Sequence, residues 1–69
     1  MREGSYLVWE LAGTSSESYE KAIQNALVTA GKVINEMLWF EVMEQRGRIS
    51  EGRVAEYQVV VKVGAKTTR

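Results

Sequence analysis

The sequence contains no cysteine and no histidine. Without cysteine a disulfide scaffold is impossible, and without either of the favoured zinc ligands a zinc-type site is not expected. The same two absences remove the thiol and the imidazole on which most nucleophilic catalysis relies. Net charge is missing as well, because nine Lys and Arg balance nine Asp and Glu. Nucleic-acid binding normally shows a basic stripe, and none occurs, so no nucleic-acid partner is expected. No run is long and apolar enough to span a bilayer, and the first residues lack the basic-then-apolar layout of a signal peptide. The expectation is a cytoplasmic protein with no membrane partner. A Gly-x-Gly-x-x-Gly phosphate loop is also absent, since Gly13 stands alone.

What remains is short. A chain of 69 residues forms one domain, spanning positions 1–69. So small a domain buries a modest share of its surface and needs a staple of some kind. With disulfides and zinc set aside, self-association is the remedy left. The hydrophobic fraction of 45% is ordinary for a folded domain and argues against disorder.

Residues Ser5 to Ala12 are rich in strand formers, and Gly13 is expected to break that strand. Both parities are apolar, with Tyr6 and Val8 on one side and Leu7, Trp9 and Leu11 on the other. A strand covered on both faces points to a partner. Thr14 and Glu17 are spaced for a capping box, with Ser15 as an equally good N-cap. Tyr19, Ala22, Ile23, Ala26, Leu27, Ala30, Val33, Ile34 and Met37 then repeat at helical spacing, over about five turns. Gly31 weakens the last of them by about 1 kcal/mol.

From Leu38 the period becomes two. Leu38, Phe40 and Val42 fall on one face, and Trp39, Glu41, Met43 and Gln45 on the other, with a bend expected at Gly47. Glu51-Gly52 marks a tight turn. Val54 to Gly64 forms the last strand, with Tyr57, Val59, Val61 and Val63 on the helix side, and the tail from Ala65 to Arg69 is expected to fray. The last two strands make a hairpin, and the helix returns the chain along the sheet. An all-antiparallel sheet then requires the order 1-3-2. The fold class is α+β, a β-α-β-β protomer with one helix on one face of a three-stranded sheet.

Two residues stand out on the face opposite the helix. If Leu38 and Phe40 occupy the core face, Trp39 points outward, either into an oligomer interface or as a stacking platform for a planar ligand. Gln58 interrupts an apolar run on that same face, and its amide offers a donor and an acceptor together. With the turn centred on Glu51-Gly52, position 45 lies opposite position 58. Trp39 then sits six residues from Gln58, roughly 20 Å along the strand. One planar ligand reaches both only if neighbouring protomers share the site. Catalysis has no comparable support. Thr14, Ser15 and Ser16 are accounted for by capping, and Glu41 and Glu44 fall on opposite strand faces, so no catalytic residues are assigned.

The runs Glu10-Leu11-Ala12-Gly13-Thr14-Ser15, Ala22-Ile23-Gln24-Asn25-Ala26-Leu27, Leu38-Trp39-Phe40-Glu41-Val42, Arg46-Gly47 and Glu56-Tyr57-Gln58-Val59 resemble, in order and spacing, those of the dodecins. The resemblance covers about residues 6 to 64. It implies a sheet partly wrapped around its helix and a hollow homododecamer. It further implies flavin storage or sequestration without enzymatic turnover, with flavins stacked in pairs between tryptophans of neighbouring protomers. Trp39 matches the sandwiching tryptophan and Gln58 the glutamine that hydrogen-bonds near the flavin. Arg46 matches a basic residue placed to meet the phosphate of FMN, the most expected ligand ahead of riboflavin and related flavins. A dodecameric shell with a non-flavin ligand such as coenzyme A is the alternative, and no metal site is implied. Two positions depart from the pattern. Val63-Gly64-Ala65 stands where Val-Gly-Phe is common, and Trp9, read as core or interface filler, stands where an aliphatic is usual.

Overall fold

Strand formers at both ends and an alanine-rich amphipathic middle produce β1 (Tyr6–Ser15), α1 (Tyr19–Ala30), β2 (Met37–Ser50) and β3 (Arg53–Lys66). The computed structural model describes residues 4–67. The sheet has the expected order β1-β3-β2, and both neighbouring pairs are antiparallel. The most continuously apolar strand therefore takes the centre. Its Val59, Val61 and Val63 are fully buried. They pack with Ala65, Ile34 and the helix residues Ala22, Ala26 and Ala30 to make the core. Each buried valine contributes about 1.5–3 kcal/mol.

The helix presses closely on β1 at Gly13. That glycine does not break β1, which runs on to Ser15 with Gly13 opposite Val59. A Cβ at position 13 would lie 2.7 Å from the Cβ of Ala26 and would drive into the carbonyl oxygen of Ala22. Glycine here is a close-approach residue, and the three helix alanines complete the fit. Because β1 continues, the helix starts later than the capping box implied. Ser18 is the N-cap, and its Oγ accepts from the Lys21 N–H at 3.0 Å. Ser15 makes a turn instead, accepting from the Glu17 N–H at 2.9 Å. Asn25 Nδ2 donates to the Thr14 carbonyl at 2.9 Å and ties the helix to the end of β1.

The helix also ends sooner than its apolar period, at Ala30 instead of Met37. Gly31 caps it, and Lys32, Val33 and Ile34 close a tight turn on the Thr29 and Ala30 carbonyls. Ile34 is buried by this turn, so the period recorded burial and not helix. Glu36, with φ at 52°, then swings the chain into β2. At the hairpin tip Glu51 and Gly52 have φ of 52° and 76°, the left-handed pair of a tight β-turn. At the other end Ala65 and Lys66 belong to β3, and Ala65 is buried, so this part of the tail is not frayed. Positions 68 and 69 lie outside the described residues.

The β2–β3 ladder carries register shifts at Met37/Trp39, Val42/Glu44 and Arg48/Ile49. Gly47 is not the bend; it pairs with Tyr57, and a Cβ there would come within 2.6 Å of the Glu56 carbonyl oxygen. Ala55 is the extra residue near the turn, which moves Arg46, not Gln45, opposite Gln58. Met43 is the extra residue between Val42 and Glu44. A bulge reverses side-chain parity beyond it. Gln45 accordingly turns to the helix side, opposite Val59, whereas Glu44 and Arg46 join Trp39 and Glu41 on the outer face. Glu41 and Glu44 thus share a face, contrary to simple alternation.

One expectation about the core fails. The helix packs on β1 and β3, and every residue of β2 is exposed. Phe40 and Val42 do face the helix side, opposite Val63 and Val61, but the helix does not cover them. Leu38 sits at a register shift and is exposed. Trp9, opposite Val63, is also on the helix side and 43% exposed, so it is no part of the core. The protomer is long, 52 × 20 × 14 Å, with a radius of gyration of 14.3 Å. A compact chain of this length has about 11 Å.

The close approach at Gly13 is open to direct measurement. Gly13→Ala is expected to lower stability by about 1–3 kcal/mol through overpacking, read as a fall in Tm. Gly4→Ala, where a Cβ meets nothing within 4 Å, is the control and stays within about 0.5 kcal/mol. Equal Tm values for the two variants would refute the contact.

Candidate functional site

Antiparallel partners directly opposite each other point to the same face. Tyr6, Val8 and Glu10 of β1, Trp39, Glu41, Glu44, Arg46 and Arg48 of β2, and Glu56, Gln58, Val60, Lys62 and Gly64 of β3 therefore share the outer face. The sequence placed Trp39 and Gln58 there, and both are there. Trp39 is 44% exposed and Tyr6 59%.

Trp39 lies opposite Gly64, and that pairing creates its platform. A Cβ on Gly64 would fall nearly equidistant from Cε2, Cζ2 and Cη2 of the indole. Only a point over the ring face meets that condition, so the benzenoid ring lies flat across the glycine backbone. Tyr6 braces it edge-on, with centroids 5.1 Å apart and planes at 80°. Such aromatic pairs add about 0.5–1.5 kcal/mol beyond their buried area. The indole is thus held in one orientation before any ligand arrives. Sequence reasoning missed Tyr6 and Gly64 as partners of Trp39, although Tyr6 carried a signal in being aromatic and on the outer parity of β1.

The other end of the face is polar. Arg46 Nε donates to Gln58 Oε1 at 3.1 Å, and Gln58 Nε2 donates to Glu56 Oε1 at 2.9 Å. Glu44 pairs with the Arg46 guanidinium, and Arg48 lies 3.7 Å from Glu56. The structure therefore brings Arg46 and Gln58 together and holds Trp39 apart from both. Gln58 and Gly64 are six residues apart on β3, roughly 20 Å. Within one protomer these are two separate features: a flat aromatic surface and an amide flanked by a cation.

Many large apolar side chains remain exposed, including Leu7, Val8, Trp9, Phe40, Met43 and Ile49. So many exposed apolar side chains on so short a chain point to an interaction surface. Among the described residues no helix is long and apolar enough to cross a membrane.

Fold and site together define a class: a small sheet-and-helix binding protein whose key aromatic lies on the sheet face its own helix leaves open. The chain belongs to the dodecin family, whose profile matches residues 6–67. It is 56% identical over 55 residues to a dodecin of Thermus thermophilus, covering 80% of each chain. A crystal structure of a Thermus thermophilus protein superposes with a TM-score of 0.90 at 49% identity, covering 94% of this chain and 96% of that one. The dodecin of Streptomyces coelicolor gives 0.93 at 36% identity, covering 100% and 99%. That of Streptomyces davaonensis gives 0.89 at 37%, covering 94% and 96%.

The platform makes a spectroscopic prediction. In a Trp9→Phe background, Gly64→Ala displaces the Trp39 indole, and the near-UV circular dichroism of Trp39 is expected to lose most of its intensity. An unaltered band would mean that the ring does not rest on Gly64.

Proposed function

We propose that this protein binds flavin for storage and sequestration, as a hollow homododecamer in which neighbouring protomers stack flavin pairs between their Trp39 side chains. The observation that carries this reading is the Trp39 indole held flat on Gly64, on an uncovered sheet face. A planar heteroaromatic ring stacks on such a surface with little loss of conformational freedom. The amide of Gln58 supports the assignment, because the edge of an isoalloxazine ring offers carbonyl and N–H groups side by side. Arg46 adds a cation suited to the phosphate of FMN, which makes FMN the favoured ligand over riboflavin.

Assembly supports the same reading. Trp39 and Gln58 are too far apart to grip one ring within a protomer, so a complete site takes residues from more than one copy. The exposed apolar surface of β2 supplies the means for those copies to associate. Bound flavin would bring a light-excitable redox ring to the site. Trp39 would place an electron-rich indole against that ring, a contact suited to quenching its excitation. A ring enclosed between two indoles leaves little room for a substrate, so the role is binding without turnover. A cytoplasmic location accords with a flavin-buffering role.

Two measurements test this. FMN fluorescence is expected to fall on titration with apo-protein, and Trp39→Ala to abolish that fall. Undiminished binding by the variant would sink the stacking geometry, and a protein that takes up no FMN at all would favour a non-flavin ligand such as coenzyme A. In solution the particle is expected at about 94 kDa, twelve times the protomer mass of 7.8 kDa. A stable monomer by sedimentation would defeat the shared site.

A further inference from the structure

Gln58 is not free to turn. Arg46 offers it only donors, and the Glu56 carboxylate only acceptors. Rotating the amide by 180° would set its N–H groups against the guanidinium and its oxygen against the carboxylate. The observed contacts, 3.1 Å from Arg46 Nε to Oε1 and 2.9 Å from Nε2 to Glu56 Oε1, fix one orientation. Glu56 is itself restrained, with its side chain 30% exposed and Arg48 at 3.7 Å. Arg46 is held in turn by Glu44. Five side chains, Arg48, Glu56, Gln58, Arg46 and Glu44, thus run as a relay of alternating polarity across the outer face.

A primary amide has two N–H donors and two oxygen lone pairs. With one of each engaged, Gln58 retains one donor and one acceptor whose order along the strand is set by its charged neighbours. We infer that Glu56 is a positioning residue for the ligand site. Through Gln58 it selects rings that present a carbonyl beside an N–H and rejects those lacking the N–H. This rests on the flavin-binding reading above and deepens it, because the chemistry selected is the imide edge of the ring.

Selectivity, not affinity alone, is the test. Wild-type protein and the Glu56→Ala and Glu56→Gln variants are titrated with FMN and with FMN methylated at the imide nitrogen. Wild type is expected to bind the methylated ring about tenfold more weakly, within the range for one hydrogen-bonding group left unsatisfied. In Glu56→Ala the amide keeps only the Arg46 restraint, FMN binds more weakly, and the ratio is expected to fall. Glu56→Gln retains an acceptor oxygen and restores the ratio. Should Glu56→Ala not assemble, Glu56→Asp keeps the charge but shortens its reach, and the ratio is expected to fall in the same direction. Parallel loss of both affinities with an unchanged ratio would show that Glu56 merely supports the fold. A wild-type ratio near one would overturn the inference while leaving flavin binding intact. Failure of wild type to bind either ring would overturn both readings.

Discussion

A helix of twelve residues is about 18 Å long, whereas a strand of fourteen spans about 46 Å. One such helix cannot cover a sheet built from such strands, and here it lies over β1 and β3 only. Everything else in the protomer responds to that mismatch. The core is confined to Val59, Val61, Val63 and Ala65 of β3, the alanines of α1 and Ile34. β2 is exposed on both faces along its whole length. The elongated shape follows as well, because nothing folds the overhanging strands back onto the core.

The mismatch also makes the binding surface. Trp39 is available because the outer face has no helix of its own. The indole is nonetheless ordered, since Gly64 beneath it has no side chain and Tyr6 meets it edge-on. The charged relay around Gln58 uses the same face six residues away, where the central strand still supports it. A single chain thus carries two well-ordered surfaces about 20 Å apart. In the proposed function, assembly and binding are then two aspects of one constraint.

Much of this was legible in the residues. The strand order followed from the hairpin signal at Glu51-Gly52 and from the apolar continuity of β3. Trp39 and Gln58 were placed on the outer face by alternation alone. Errors arose where a local rule met a tertiary contact. Gly13 reads as a strand breaker but is the point where Ala22 and Ala26 press against β1. Ile34 extends the apolar period beyond the helix because it is buried by a turn. Arg46 and Glu44 changed face because Met43 bulges out of the ladder, and single-strand alternation has no means of announcing an unpaired residue.

The sequence by itself determined the kinds of element, their order in the sheet and the two residues most suited to a flat polar-edged ligand. Those properties depend on periodicity, turn chemistry and side-chain type, all of which are local. Tertiary structure alone decided that Trp39 rests on Gly64 beside Tyr6, and that Arg46 and Glu56 hold Gln58 in one orientation. Apart from Glu56 and Gln58, two residues apart on β3, these partnerships join different strands through a register that bulges shift, and register is a property of the pair, not of either strand.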